Sequence, residues 1–502
     1  MTQSICTANQ ARQADTLAIQ QYRIPSLLLM EHAAQQCFSL LKKRLQNARS
    51  SVIVCGPGNN GADGLAIARL CKDHKIQCTV FLPDPCHLSM DEKIQWDMIQ
   101  ALDIPHISDL EPALKKIEQA DVIIDALFGN GLDRPIQEPY SKIIQTINAS
   151  NAFVASIDIA SGLQATTGKA LGICVHADQT LAIDCFKTGH YRNEGRQYSG
   201  QLFCLPIGIP DHLHDRLKTA LLLETKDVQI PLRNSHSHKG TFGKALMIGG
   251  SQSMHGAITM ACQACYRSGI GTLTCMIPDC IQEIVGQKME FAMNLCAPSQ
   301  DGTFALEGVA CLDQEKSKYD ILSLGNGMTR TKATELFVEH ALKSDACVLL
   351  DADACWGLRD QLHLLDREAP VLLTPHLKEM TYLCQKDLKA IQEDPFDTVS
   401  TFCKEHPQCT LILKSDFTLI GHQDKLYVVD HANSALAKGG SGDILCGILT
   451  GLYGQCRDPL QAATTGVMIH NLCAAIKKDP ASVMPQDLIE QIPIVFSSLR
   501  EN

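Results

Sequence analysis

The chain has 502 residues, too many for one ordinary domain, and a soft count of roughly 150 residues per domain points to two large domains or three small ones. Hydrophobic residues make up 45% and charged residues 20%, enough to bury a sizeable core, and a net charge of −11 excludes nucleic acid as the main partner because phosphate binding needs a basic surface. The N-terminus has no basic region followed by a long apolar stretch, and no segment approaches about 18 uninterrupted apolar residues, so we expect a cytoplasmic protein with no signal peptide and no membrane partner.

The first half alternates strand-like and helix-like segments. A short apolar strand at Val52 to Cys55 leads into a glycine-rich loop and then a helix from Leu65 to about His74. Strands follow at Cys78 to Leu82, Val122 to Ala126 and Val154 to Ile159, with helices such as Pro112 to Gln119 and Tyr140 to Ile147 between them. This alternation predicts a mostly parallel sheet with helices on both faces. From Asp211 to Lys239 the pattern fades into a polar, histidine-spotted stretch, read as a solvated linker rather than a metal site. We set the domains at residues 1–224 and 225–502. The second half restarts the alternation with a strand at Ala245 to Ile248 and a small-residue helix from Ala257 to about Ser268. Strands follow at Leu273 to Ile277, Ile321 to Leu324, Val348 to Leu350, Val371 to Leu373 and Leu411 to Leu413. Helices at Asp443 to Tyr453 and Leu460 to Ile476 close the chain.

The 23 cysteines are scattered through apolar runs, where a reduced thiol behaves as a small hydrophobe. Cys262 and Cys265 form a CxxC, but zinc needs a second pair at similar spacing and none is present, so both are expected on a packed helix.

In open parallel sheets, ligands bind outside the carboxyl ends of the strands. Three such ends in the first half carry unusual residues: Gly56 to Gly64, with Asn59, Asn60, Gly61, Ala62 and Asp63; Asp125 to Arg134; and Asp158-Ile159-Ala160-Ser161-Gly162. One aspartate at a strand end is usually a cap or turn residue. Two beside an Asn-Asn-Gly loop supply a cluster of hard oxygen ligands for a cation or a sugar. With Leu29-Met30-Glu31, these motifs resemble the N-terminal domain of the NAD(P)H-hydrate epimerase family, whose fold is a Rossmann-like three-layer αβα sandwich. The resemblance implies that Asn60, Asp125 and Ser161 hold K+. It implies that Asn59, Asn60, Gly61, Ala62, Asp63, Gly129, Asn130, Gly131, Leu132, Asp133, Arg134, Pro135 and Asp158 contact the hydrated dinucleotide. Asp158 would act as acid or base, assisted by Lys187. Ala62, Asn130 and Ala160 depart from the family's glycine, threonine and proline.

In the second half, Lys438-Gly439-Gly440-Ser441-Gly442-Asp443 runs into an apolar helix. Glycines let backbone N–H groups converge and the helix start favours an anion, so this stretch suits a phosphoryl group. Asp443 could accept a proton from a hydroxyl attacking it. Together with His238 to Lys244, Gly249 to Ser251, Gly325-Asn326-Gly327, Asp351-Ala352-Asp353, Thr374-Pro375-His376 with Glu379, and Leu413-Lys414, it resembles the ADP/ATP-dependent NAD(P)H-hydrate dehydratase family. The resemblance implies a ribokinase-like α/β domain that uses Mg2+. ADP would lie against Lys414, Ser415, Asp416, Phe417, Thr418 and Gly442, and the hydrate against Ala257, Gly327, His376 and Asp443. Asn326 replaces the family's proline, Leu377-Lys378 its Pro-Gly, and Ser415 its glycine. The expected whole is a bifunctional repair enzyme that epimerises NADHX and NADPHX and dehydrates one epimer with ADP, as a homo-oligomer by family tendency. The competing reading is a ribokinase-like vitamin kinase carrying a non-catalytic first domain, since one fold hosts many chemistries.

Overall fold

In the computed structural model, which describes residues 3–430, 433–476 and 479–501, the chain divides into two compact units, Gln3–Ala220 and Leu221–Asn502. Both are α/β.

The first unit is built on a seven-stranded sheet. Its spatial order is His106–Ile107, Thr79–Phe81, Ser51–Cys55, Val122–Ala126, Phe153–Ile157, Gln179–Ile183 and Gln201–Leu205, and every neighbouring pair is parallel. Strands buried on both faces read as continuous apolar runs, which is why Ser51-Val-Ile-Val-Cys55 shows no polar alternation. Ile53 and Cys55 enter one apolar core with Leu65, Ile67 and Trp96; Val52 and Val54 enter another with Leu114, Ile117 and Ile144. One core on each face makes the expected αβα sandwich. The chain moves outward from Ser51–Cys55 and then returns to place Val122–Ala126 on its other side. The loops after these two strands therefore diverge and open a crevice.

The first-unit helix starts earlier than expected. It spans Asn59–Asp73, so the Asn-Asn-Gly motif forms its first turn and is not a loop. Gly58 makes this possible: it caps the helix at φ 100°, ψ −165°, a conformation open essentially to glycine, and its N–H donates to Glu92 Oε2 at 2.8 Å. The strand ending at Ile157 stops two residues short of expectation because Asp158 turns the chain at φ 67°. Helices Ala8–Gln20 and Ser26–Asn47, and the strands Gln179–Ile183 and Gln201–Leu205, add to what the sequence pattern indicated. The polar stretch read as a linker contains a helix, His212–Arg216, and a short strand, Ala220–Leu222.

In the second unit the parallel strands run in the order Met293–Ala297, Thr272–Pro278, Lys244–Ile248, Ile321–Leu324, Cys347–Leu350, Val371–Leu373 and Cys409–Lys414. Antiparallel strands Thr418–His422 and Lys425–Val429 extend that edge, and residues 221–222 pair with the last of them. The sequence again reverses direction once, between Lys244–Ile248 and Ile321–Leu324. A large apolar core lies under helices His255–Arg267, Ser441–Cys456, Pro459–Ala474 and Pro485–Glu501. Cys262 and Cys265 lie fully buried in it on the first of these helices. Among the described residues no helix is long and apolar enough to cross a membrane.

Candidate active sites

The first site forms at the crevice of the first unit. A cavity of about 500 Å³ is lined by Asn59, Asn60, Asp63, the segment Gly129 to Arg134, Asp158 and Lys187. These residues come from the ends of strands Ser51–Cys55, Val122–Ala126, Phe153–Ile157 and Gln179–Ile183. Gly61, Ala62 and Pro135, expected at the substrate, do not line it. Gly61 and Ala62 are buried, and a Cβ on Gly61 would stand 1.8 Å from Gly56 O, so these residues seat the helix on the sheet. The cavity also takes in Ala11, Arg12 and Asp15 from the first helix, and Asp184, none of which any local motif marked, and Cys185 from the stretch that carries Lys187.

Asp158 is held from three sides. Asn130 N donates to Oδ2 at 3.1 Å, Ile183 N donates to Oδ1 at 3.3 Å, and the Lys187 ammonium forms an ion pair with Oδ1. Lys187, with 2% of its side chain exposed, also donates to the carbonyls of Ile183 and Cys185 at 2.9 and 3.0 Å. Burial works against its charge, but Asp158 and the other negative groups outweigh it and its pKa lies above the ordinary value. Asp63 is pushed well up by burial and by Asp158 and Asp15. Asp15 stands exposed at the cavity mouth, where partial desolvation by the surrounding protein, and then Asp184, raise its carboxyl above the ordinary value. The cavity thus joins a fixed carboxylate to acids poised to hold protons.

Beneath the cavity, Asp125 is fully buried. Its carboxylate accepts from Ser156 Oγ at 2.7 Å, Ser161 Oγ at 2.6 Å and Ser161 N at 2.9 Å. Burial raises its pKa against these bonds. The side-chain oxygen and nitrogen of Asn60 are buried and have no partner among the described residues. An orphaned buried amide oxygen on Asn60, packed against Gly129, together with the donor chemistry of a carboxylate and a hydroxyl at Asp125 and Ser161, suits a weakly hydrated monovalent cation better than magnesium's tight octahedron.

The second site lies at the strand ends of the second unit. A cavity of about 700 Å³ is lined by His376, Lys414, Ser415, Asp416, Phe417, Thr418 and Gly442, with Asn433, Leu436, Lys438 and His470. Six of these residues were expected at ADP and one at the hydrate. The helix Ser441–Cys456 begins at Gly440, whose φ of 95° turns the chain so that the helix start faces the cavity. The first N–H groups of a helix have no intrahelical acceptor. A Cβ on Gly442 would stand 3.5 Å from Lys414 Nζ, so an ammonium faces this helix start. The same ammonium donates to Asp351 Oδ1 at 2.8 Å, and that oxygen also accepts from Thr374 Oγ1 at 2.7 Å.

Asp443 lies in the first turn of that helix. Asn326 Nδ2 donates to its Oδ1 at 2.8 Å. Burial, and then Asp351, raise the Asp443 carboxyl to about 6. Gly327 and Ala257 meet nearby: a Cβ on Gly327 would stand 3.2 Å from Ala257 Cβ. His376 caps its helix through Nδ1, which accepts from Glu379 N at 3.0 Å, leaving its other nitrogen 3.3 Å from Glu379 Oε1. His470 was missed because nothing around it in the sequence marks it; its Nε2 lies 3.2 Å from Ser441 Oγ, and burial lowers its pKa to about 4, keeping it neutral.

A cavity at a sheet switch point, above a fixed Asp–Lys pair, and a second cavity at strand ends beside a glycine-capped helix start that faces a lysine define a two-site α/β enzyme. Residues 26–189 match the family described as YjeF-related protein N-terminus, and residues 245–494 match NAD(P)H-hydrate dehydratase. The chain is 31% identical to the bifunctional NAD(P)H-hydrate repair enzyme of Moorella thermoacetica, over 99% of this chain and 97% of that protein. It is also 31% identical to the enzyme of the same name in Coxiella burnetii, with 93% of each covered. The chain belongs to the family of bifunctional NAD(P)H-hydrate repair enzymes. Among solved structures, an ADP/ATP-dependent NAD(P)H-hydrate dehydratase from Bacillus subtilis, co-crystallised with ATP and Mg2+, is 27% identical, covering 55% of this chain and 97% of that one with a TM-score of 0.49.

Proposed function

We propose that the first unit interconverts the two epimers of NADHX and NADPHX, and that the second dehydrates one of them with ADP, releasing AMP and phosphate. The observation that carries this reading is the coexistence in one chain of two cavities, one lined by Asn59, Asn60, Asp63, Gly129 to Arg134, Asp158 and Lys187, the other by His376, Lys414 to Thr418 and Gly442. In the first unit Asp158, oriented by Asn130, Ile183 and Lys187, exchanges a proton with the hydrated nicotinamide ring. Asn59, Asp63 and the segment Gly129 to Arg134 hold the dinucleotide. Asn60, Asp125 and Ser161 would hold K+, which supplies a fixed positive charge beside the bound dinucleotide.

In the second unit Asp443 accepts the proton of the ring hydroxyl as that oxygen attacks the β-phosphoryl group of ADP. The backbone N–H groups at the start of helix Ser441–Cys456 and the Lys414 ammonium take the charge that builds up there. Phosphorylation turns a poor leaving group into a good one. The ring nitrogen lone pair then expels phosphate to leave an iminium, and loss of a proton from the adjacent ring carbon restores the double bond of the dihydronicotinamide. Ser415, Asp416, Phe417 and Thr418 line the ADP end, and Ala257, Gly327 and His376 the hydrate end. Mg2+ would be carried mainly by the nucleotide phosphates and water, as suits a cation that keeps part of its hydration shell. We further propose a cytoplasmic homo-oligomer.

The test incubates the protein with mixed NADHX epimers, ADP, Mg2+ and K+ and follows recovery of reduced-nicotinamide absorbance. Complete recovery is expected. Recovery that stops when one epimer is exhausted would remove the epimerase activity, and no recovery would favour the kinase reading.

A further inference from the structure

Asn326 stands between two acids. Its Nδ2 donates to Asp443 Oδ1 at 2.8 Å and to Asp351 Oδ2 at 3.2 Å, and its Oδ1 accepts from Cys446 Sγ at 3.1 Å. Cys446 Sγ lies 3.1 Å from Ser323 Oγ in turn. Asn326, Ser323 and Cys446 are fully buried and Asp351 is 2% exposed. An amide has two N–H donors and one acceptor oxygen, and here both donors face acids while the oxygen faces a thiol. Turned over, the oxygen would face two carboxylates. The backbone is anchored as well: the Asn326 carbonyl accepts from Gly250 N at 2.8 Å, across the switch point of the sheet.

We propose that Asn326 is a positioning residue for the dehydration step: its amide, oriented by the Cys446 thiol, aims the Asp443 carboxylate and keeps it apart from Asp351. This rests on the reading of Asp443 as proton acceptor. Two carboxylates sharing a buried space repel, and one of them then takes up a proton. A donor between them opposes this and leaves Asp443 free to accept the substrate's proton. The groups facing Asp443 are Asp351, Asp353 and Lys414, with Asn326, and Cys446 from its own helix. Asp351 keeps two other donors, Lys414 and Thr374, on its Oδ1 and depends on the amide at Oδ2 alone, so the shorter bond to Asp443 is where the amide matters most. The proline of the family pattern offers no side-chain donor here, which makes the device a feature of this chain.

Asn326→Leu keeps the bulk and removes both donors, while Asn326→Asp keeps the shape and adds a third carboxylate. The acid limb of the dehydratase kcat/KM profile should move up by about one pH unit in the first and further in the second, with activity recovering at high pH. A merely structural role would lower activity equally at every pH, and limbs that coincide with wild type would overturn the inference. Cys446→Ala and Cys446→Ser probe the same amide should the Asn326 variants misfold. The alanine should shift the limb the same way by less, and the serine should bring it back. An unshifted Cys446→Ala limb would count equally against the proposal. A second reading needs no turnover: carboxyl 13C titration of the full-length, aspartate-labelled protein, with Asp443→Asn assigning the signal, should rank the variants identically. If the carboxyl titrations shift but the wild type repairs no NADHX, the reaction assignment fails and the amide's role stands. If the wild type turns over and the titrations do not move, this inference alone fails.

Discussion

Asp443 and Asp158 face opposite electrostatic problems. Asp443 has a neutral amide and a helix start for company, and burial raises its carboxyl to about 6. The dehydratase rate should therefore fall as pH drops below about 6, where the acceptor is already protonated. Asp443→Asn should lose turnover by about 10²–10⁴-fold while still binding ADP, checked by calorimetry beside the rate assay. Stability has a definite sign. The folded value of about 6 exceeds the ordinary 3.8, so the folded state binds this proton more tightly. Its contribution is full below 3.8 and is lost as pH rises through about 6. The permanently neutral Asp443→Asn should consequently be more stable than wild type by a margin that opens above pH 3.8 and is full above about 6, on the order of 3 kcal/mol at most, read as a higher melting temperature. A variant melting lower than wild type at neutral pH would contradict this. Asp158 instead neutralises a buried lysine. Asp158→Asn leaves Lys187 unpaired and should cost about 3–5 kcal/mol, so lost epimerisation in that variant alone proves little. Asp158→Asn combined with Lys187→Met should regain much of the stability and remain inactive. Recovered epimerase activity in the double variant would remove both residues from the chemistry.

At the scale of elements, one close helix contact helps to hold the phosphoryl-binding end in place. Helix Ser441–Cys456 packs backbone to backbone on His255–Arg267: a Cβ on Gly447 would stand 2.1 Å from Ala261 O, and one on Gly451 2.6 Å from Cys265 O. This explains the small residues of both helices. Gly447→Ala must push the helices apart and should destabilise the protein by about 1–3 kcal/mol, read as a lower melting temperature, with weaker ADP binding because the helix start moves. Unchanged melting would show that the interface can relax. Strand positions were legible in the sequence because buried parallel strands are short apolar runs. The early start of helix Asn59–Asp73 was not. Asn and Gly are turn formers by local preference, and only the Glu92 carboxylate on Gly58 N–H, 34 residues away, favours a helix there.

Over the whole molecule, the two cavities belong to different units, so their activities should separate. Asp125→Ala should abolish the potassium dependence and most of the rate of epimerisation while dehydration of the reactive epimer continues at its wild-type rate. Assaying each activity with K+ replaced by Li+ should show the same division. Equal loss of both in a folded variant would refute two independent sites. ADP should also outperform ATP at matched Mg2+ in initial-rate comparisons, and a clear ATP preference would reject it.

The sequence by itself determined the two α/β halves, the central strands of each sheet, and the motif residues at their ends, because hydrophobic period and glycine placement are local properties; Gln179–Ile183, Gln201–Leu205 and the edge strands of the second sheet were not legible. It did not reveal which loops diverge. Strand order is a choice among long-range pairings, and only the tertiary structure decided that Ser51–Cys55 lies beside Val122–Ala126 and Lys244–Ile248 beside Ile321–Leu324. That choice brings Asp15, from the first helix, to the same cavity as Asp158, and joins Asn326 to Asp443 across 117 positions of chain. A side chain whose partners are so distant in sequence leaves no periodic trace, since its meaning comes from the charge it meets when the sheet is assembled.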